Sequence, residues 1–201
     1  MKEKKALGRK ERGLRTRQRI YRTAIELFAR KGYENVSVDE ICRRLGLTKG
    51  AFYAHFRSKD QIILEEFMNM DRHYAAAAEN LPPEASSLEK LRRFNREAIR
   101  LMSELGVTLM RVLYHSQIAP HMREPYLINP ARNLYLITER LIREGQEKGE
   151  IRSDLPAAEL TTVLINAFRG QLYHWCLTDG SFDLLEACDQ LMELILRGIR
   201  A

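Results

Sequence analysis

Apolar residues recur along this chain every three or four positions with few interruptions, the spacing of α-helices that each bury one face. Ile20, Ala24, Leu27 and Phe28 mark the first stripe and predict a helix over about residues 14–30, stopped at Gly32. Val38, Ile41, Cys42 and Leu45 follow at i, i+3, i+4 and i+7, behind a Ser37-x-x-Glu40 capping box. Gly46 offers the left-handed conformation that ends this second helix after two turns. Thr48 then caps a third short helix reaching about His55, and Ser58-Lys59-Asp60-Gln61 opens a fourth that runs to about Asn80. Leu81-Pro82-Pro83 breaks it. The remainder reads as helices near 87–104, 107–118, 130–148, 156–178 and 182–198, with Asn129-Pro130 as a start signal and Gly149 as a stop. No strand-like alternation of useful length and no tandem repeat interrupts the series. The predicted class is all-α, with nine helices.

Charge divides the chain unevenly. Residues 1–60 hold 17 Lys and Arg against 7 Asp and Glu, whereas residues 61–201 hold 16 against 20. The whole net charge of +6 therefore comes from the first third, and a segregated basic segment points to a polyanionic partner. The reading is a basic head, 14–60, preceded by a flexible basic arm, 1–13, and followed by a body, 61–201. No apolar run approaches the roughly 18 residues of a membrane span, and charged residues follow the basic N-terminus where a secretory signal would be apolar, so a cytoplasmic location is expected. Cys42, Cys176 and Cys188 are far apart, and the five histidines show no metal-ligand spacing. Neither a disulfide framework nor a metal or cofactor site is expected.

Two short capped helices around a tight glycine turn make a helix-turn-helix. Phe52 and Phe56, four apart, supply the inner face of the third helix, which leaves Thr48, Lys49, Gly50, Ala51, Tyr53, Ala54 and His55 for the outer one. Gly50 and Ala51 keep that face low while its neighbours offer hydroxyl, ammonium and imidazole donors. A helix N-terminus also presents free N–H groups to phosphate. Such a face suits the DNA major groove. Thr16, Arg17 and Arg19 on the first helix, Ser37, Arg43 and Arg44 on the second, and Lys59 at the start of the fourth are expected to reach the backbone alongside.

The stretch RTRQRIYRTAIELFARKGYENVSVDEICRRLGLTKGAFYAHFRSKDQII, residues 15–63, resembles the DNA-binding head of the TetR-type bacterial transcriptional regulators. Ile20, Ala24, Phe28, Gly32, Val38, Ile41, Gly46, Lys49, Gly50, Tyr53, Phe56 and Lys59 are the matching landmarks, while Thr23, Cys42 and Leu45 depart from the pattern in ways that alter packing only. The segments KGEIRSDL and FRGQLYHWCLTDGSFDL look like the run into the family's final helix pair. The resemblance implies a nine-helix homodimer that represses transcription and leaves its DNA when a small-molecule inducer binds the body and shifts the fourth helix.

The last two helices are apolar nearly all round, which a single buried stripe does not require. A large intrachain core could absorb them, but the resemblance favours a two-fold interface, with Leu164, Phe168, Trp175, Leu184, Cys188, Leu191 and Ile195 expected there. Two heads so paired would meet a palindromic operator in successive grooves about 34 Å apart. For the inducer, the expected contacts are Phe67, Tyr74, Met110, Tyr114, His115, Asn166, Arg169 and Tyr173, with Met122 among further candidates. His115, Asn166 and Arg169 lead, because a polar group on an apolar helix needs a partner once buried. An enzyme would need a convergent constellation, and no nucleophile with His and Asp at useful spacing, metal triad or phosphate loop is present. The alternative reading is a DNA organiser that binds without sequence preference and ignores small molecules.

Overall fold

The computed structural model describes residues 2–118 and 125–201, the side chains of 2–10 excepted; Met122 lies outside the described residues. Among the described residues there are nine α-helices: α1 Lys2–Lys31, α2 Val38–Leu45, α3 Lys49–Tyr53, α4 Lys59–Glu79, α5 Ser87–Leu105, α6 Val107–Ile118, α7 Asn133–Glu147, α8 Ala157–Leu177 and α9 Leu184–Ile199. A short 3-10 turn, Tyr126–Ile128, precedes α7. The all-α class and the order of elements are those expected. Two boundaries differ. The helix expected from about residue 14 begins at Lys2, so α1 runs through the stretch expected as a flexible arm. At the other end, Asn129 does not cap α7: its side chain accepts from the Ala131 amide at 2.9 Å and closes a turn, and the helix starts only at Asn133.

The chain divides into two compact units, Met1–Glu66 with Arg111–Met122 and Phe67–Met110 with Arg123–Ala201. In the first, Ile20, Ala24, Phe28, Ile41, Phe52, Phe56 and Ile62 are shut off from solvent. All but Phe56, which lies just beyond α3, come from one stripe of their helix, so the amphipathic pattern is what fixes the packing. Tyr33 closes this core edge-on to Phe28, centroids 5.0 Å apart, and its hydroxyl donates to Asp60 at the start of α4.

In the second unit α5, α7, α8 and α9 pack together around Leu91, Phe94, Ile142, Leu172, Cys188 and Met192. Arg92 and Arg96 of α5 pair with Glu193 and Asp189 of α9 along the seam. Gly145 lets α7 approach its neighbours closely, since a Cβ there would lie 2.5 Å from Ile151 Cδ1 and 3.0 Å from Ser87 Cβ. Nearby, Glu150 accepts from the free Ser87 amide at 2.5 Å and so caps α5 from outside the helix.

A buried ionic cluster ties α4 to the start of α7. The Arg132 side chain is 2% exposed and its Nε donates to both oxygens of Asp71 at 3.1 Å. The Tyr126 hydroxyl donates to the same carboxylate at 2.7 Å, and Asn133 donates to the Asp71 carbonyl at 2.9 Å. Phe67 and Tyr126 flank the guanidinium, their centroids 5.6 and 4.9 Å from Arg132 Cζ. Burying these charges is tolerable only because they are paired and hydrogen-bonded.

Candidate nucleic-acid interface

The helix-turn-helix is built from local chemistry. Ser37 Oγ accepts from the Glu40 amide at 3.2 Å and opens α2. The return half of the expected capping box is missing, because the Glu40 carboxylate turns to Lys31. Gly46, at φ 65°, closes α2 in the left-handed conformation. Thr48 Oγ1 then accepts from the Ala51 amide at 3.2 Å and starts α3. The helix expected to reach about His55 is shorter, a five-residue element over Lys49–Tyr53. So short a helix has little macrodipole, which leaves recognition to its side chains.

Phe52 and Phe56 face inward and are buried. Thr48, Lys49, Gly50, Tyr53 and Ala54 share the exposed face, with Ala51 half-buried beside them. Tyr53 stands 52% exposed, its ring edge-on to Phe52 at 5.5 Å. Lys49 is exposed and pairs with Asp39 of α2 at 2.8 Å; that carboxylate raises the lysine's pKa above its ordinary value. Beside the motif, Arg30, Lys31, Arg43, Arg44, Glu40 and Leu27 line a surface notch of about 360 Å³. Four cations against one carboxylate give it a positive potential suited to a phosphate chain. Arg30 and Lys31 are additions to the expected set, since only folding α1 against α2 brings the end of one helix beside the last turn of the other.

Other expected DNA contacts also have partners inside the head. Arg17 donates to Glu65 at 2.5 Å and lies over the Phe56 ring at 4.6 Å. Lys59 donates to the carbonyls of Tyr33 and Val36 at 3.0 and 3.4 Å and covers the Tyr33 ring at 4.1 Å. A cation at a helix start suggests a phosphate partner; its partners are instead the carbonyls of the preceding loop. His55 is turned toward α1, its Cε1 4.0 Å from where a Cβ on Gly13 would stand. Thr16 donates to the Arg12 carbonyl at 3.0 Å, and Arg19 to the Leu45 carbonyl at 3.5 Å.

The body corrects further expectations. Leu164, Phe168, Trp175, Leu184 and Cys188 are buried within the single chain, so they serve its own core, while Leu191 and Ile195 are half-buried. The large exposed apolar residues of these helices are Val163, Tyr173 and Leu177 on α8 and Leu194 on α9. Among the expected inducer contacts, Asn166 and Tyr173 lie on that outward face and His115 is exposed, its Nδ1 3.5 Å from Glu34. Tyr114 is half-buried. Phe67, Tyr74 and Met110 are buried, and Arg169 donates to the Leu127 carbonyl and to Asn166, the latter at 3.4 Å.

Two family descriptions fit this chain: "Bacterial regulatory proteins, tetR family" over residues 20–65, and "Tetracyclin repressor-like, C-terminal domain" over residues 84–199, more than half its length. The chain belongs to the tetR family of bacterial regulatory proteins. Membership makes it a DNA-binding transcriptional regulator. It is similar to the fatty acid metabolism regulator protein of Bacillus subtilis (strain 168), 24% identical over 183 residues that cover 90% of this chain and 93% of the relative. A probable acrEF/envCD operon repressor of Escherichia coli (strain K12) is 24% identical over 199 residues, covering 94% and 88%. The transcriptional regulator FadR from Bacillus subtilis, solved in complex with stearoyl-CoA, shares the fold with a TM-score of 0.74 at 21% identity, over 90% of this chain and 98% of that one.

Proposed function

We propose that this tetR-family regulator acts in the cytoplasm as a homodimeric repressor. Its α2–α3 face enters the major groove of a palindromic operator, and a small molecule bound in the helical body releases it. The observation that carries this reading is the outer face of α3. Phe52 and Phe56 are that segment's buried side chains, so Thr48, Lys49, Gly50, Tyr53 and Ala54 are left exposed together beside the cationic notch. Small residues at the centre let the backbone approach base edges, and hydroxyl and ammonium groups around them supply donors.

Pairing is supported by the outward apolar residues of α8 and α9, Val163, Tyr173, Leu177 and Leu194, which a second copy would cover. Of the residues expected to meet an effector, Phe67, Tyr74, Met110 and Arg169 are retained. Stearoyl-CoA is the first probe to try, because a protein of this fold was solved with it.

The test is selection of bound duplexes from a random pool at near-physiological salt, followed by challenge of the recovered complex with stearoyl-CoA and other small molecules. A palindrome with half-sites about 10 base pairs apart supports the reading. Binding without an enriched motif overturns it in favour of a DNA organiser. Release of the palindrome by a small molecule establishes induction.

A further inference from the structure

Lys49 and Asp39 stand together on the face just described, 2.8 Å apart, with side chains 61% and 52% exposed. As a contribution to folding such a pair is weak, because exposed ion pairs return about 0–1 kcal/mol. As a contribution to phosphate binding it is weaker still: the carboxylate cancels the ammonium and repels the backbone. Its unspent capacity is for hydrogen bonds. An ammonium has three donors and a carboxylate two acceptor oxygens, and the contact between them engages one hydrogen and one oxygen.

We propose that Asp39 and Lys49 act as one unit that reads a G·C base pair in each half-site. In the major groove this pair presents guanine N7 and O6 as acceptors and cytosine N4 as a donor. The ammonium of Lys49 would donate to O6 and N7, and Asp39 would accept from N4. O6 and N4 are themselves hydrogen-bonded partners, about 2.9 Å apart, so their spacing matches the 2.8 Å between Lys49 Nζ and Asp39 Oδ1. The four groups then close a ring in which every donor meets an acceptor. Adenine in place of the guanine puts the N6 donor against the ammonium. Thymine there offers O4 but carries its methyl group on the side where guanine has N7, so only guanine satisfies both contacts of Lys49 while its partner donates to Asp39. Gly50 and Ala51 follow Lys49 without bulk, so the positions next to it in α3 put no large side chain between the pair and the base edges.

This inference rests on the reading of α2 and α3 as the DNA-binding face. The experiment repeats the random-duplex selection with the full-length wild type, Asp39→Ala, Asp39→Asn and Lys49→Ala, with melting curves and sedimentation confirming that each variant is folded and has the wild-type mass. The wild type should enrich one G·C pair per half-site. Asp39→Ala should relax that position alone and steepen the salt dependence, since Lys49 is then free to meet phosphate. Asp39→Asn should move the position toward A·T, because an amide pairs with adenine N6 and N7. Lys49→Ala should lose the preference and weaken binding roughly 5- to 150-fold. An unchanged motif in Asp39→Ala overturns the paired readout and leaves the regulator reading intact. A wild type that enriches no motif overturns both.

Discussion

Removing the carboxylate of Asp71 would strand a guanidinium whose side chain is 2% exposed. A buried charge that loses its partner costs about 3–5 kcal/mol, so Asp71→Ala should lower the urea midpoint steeply. Asp71→Asn, which keeps an acceptor for Tyr126, should cost less. A loss below about 1 kcal/mol for Asp71→Ala would mean that Arg132 finds water or another acceptor. The same site sets a pH dependence. Burial first, and Asp71 second, push the Tyr126 hydroxyl up to about 12. The unfolded phenol ionises near its ordinary value of about 10, so this stabilisation is complete below about pH 10 and fades as the pH rises toward about 12. Asp71 is legible in principle, because it interrupts the stripe of Phe67, Met70 and Tyr74 on one face of α4. Its partner, 61 residues on, carries no such sign. The same rule, that a polar residue on an apolar helix marks a buried need, misplaces Asn166. It assumes that all of α8's apolar surface faces inward, whereas one side of that helix is apolar and exposed.

At the scale of elements, two glycines show how a helix end and a helix packing are specified by different physics. Gly46 stands at φ 65° with no atom within 4 Å of where a Cβ would lie, so Gly46→Ala meets only the left-handed backbone penalty, about 1–2 kcal/mol. Gly145→Ala carries no such penalty but drives a methyl onto Ile151 and Ser87, at about 1–3 kcal/mol for overpacking. Shortening the obstacle with Ile151→Ala should recover part of the Gly145→Ala loss and none of the Gly46→Ala loss, as a double-mutant cycle in denaturant would measure. Additive losses at 145 and 151 would show that the close approach has room to relax. Gly46 can be placed from sequence because a two-turn apolar run stops just before it. Gly145 cannot, since its obstacle arrives from the turn beyond α7 and from α5.

For the whole molecule, helical periodicity is enough to order nine helices, because each buries a single stripe and each start or stop has its own cap, break or glycine. Which face of a helix meets its own chain and which meets a partner is not legible for α8 and α9, where apolar residues occur on both sides. Leu164 and Phe168 go to the core; Val163, Tyr173, Leu177 and Leu194 remain outside. On the dimer reading, Leu194→Glu should halve the mass seen in sedimentation while leaving the far-ultraviolet dichroism intact. Retention of the wild-type mass would place the two-fold contact elsewhere. The head has a consequence of its own for exchange between relatives. Lys59 with the Tyr33 and Val36 carbonyls, Asp60 with the Tyr33 hydroxyl, and Arg17 with Glu65 all close between residues 17 and 65. A chimera joined at residue 58, where the helix-turn-helix ends, would divide every one of these bonds between two parents. A junction after Glu66 inherits them whole and leaves behind the contact of His115 with Glu34. The natural seam for transplanting this head therefore lies two turns inside α4, in the middle of a continuous helix.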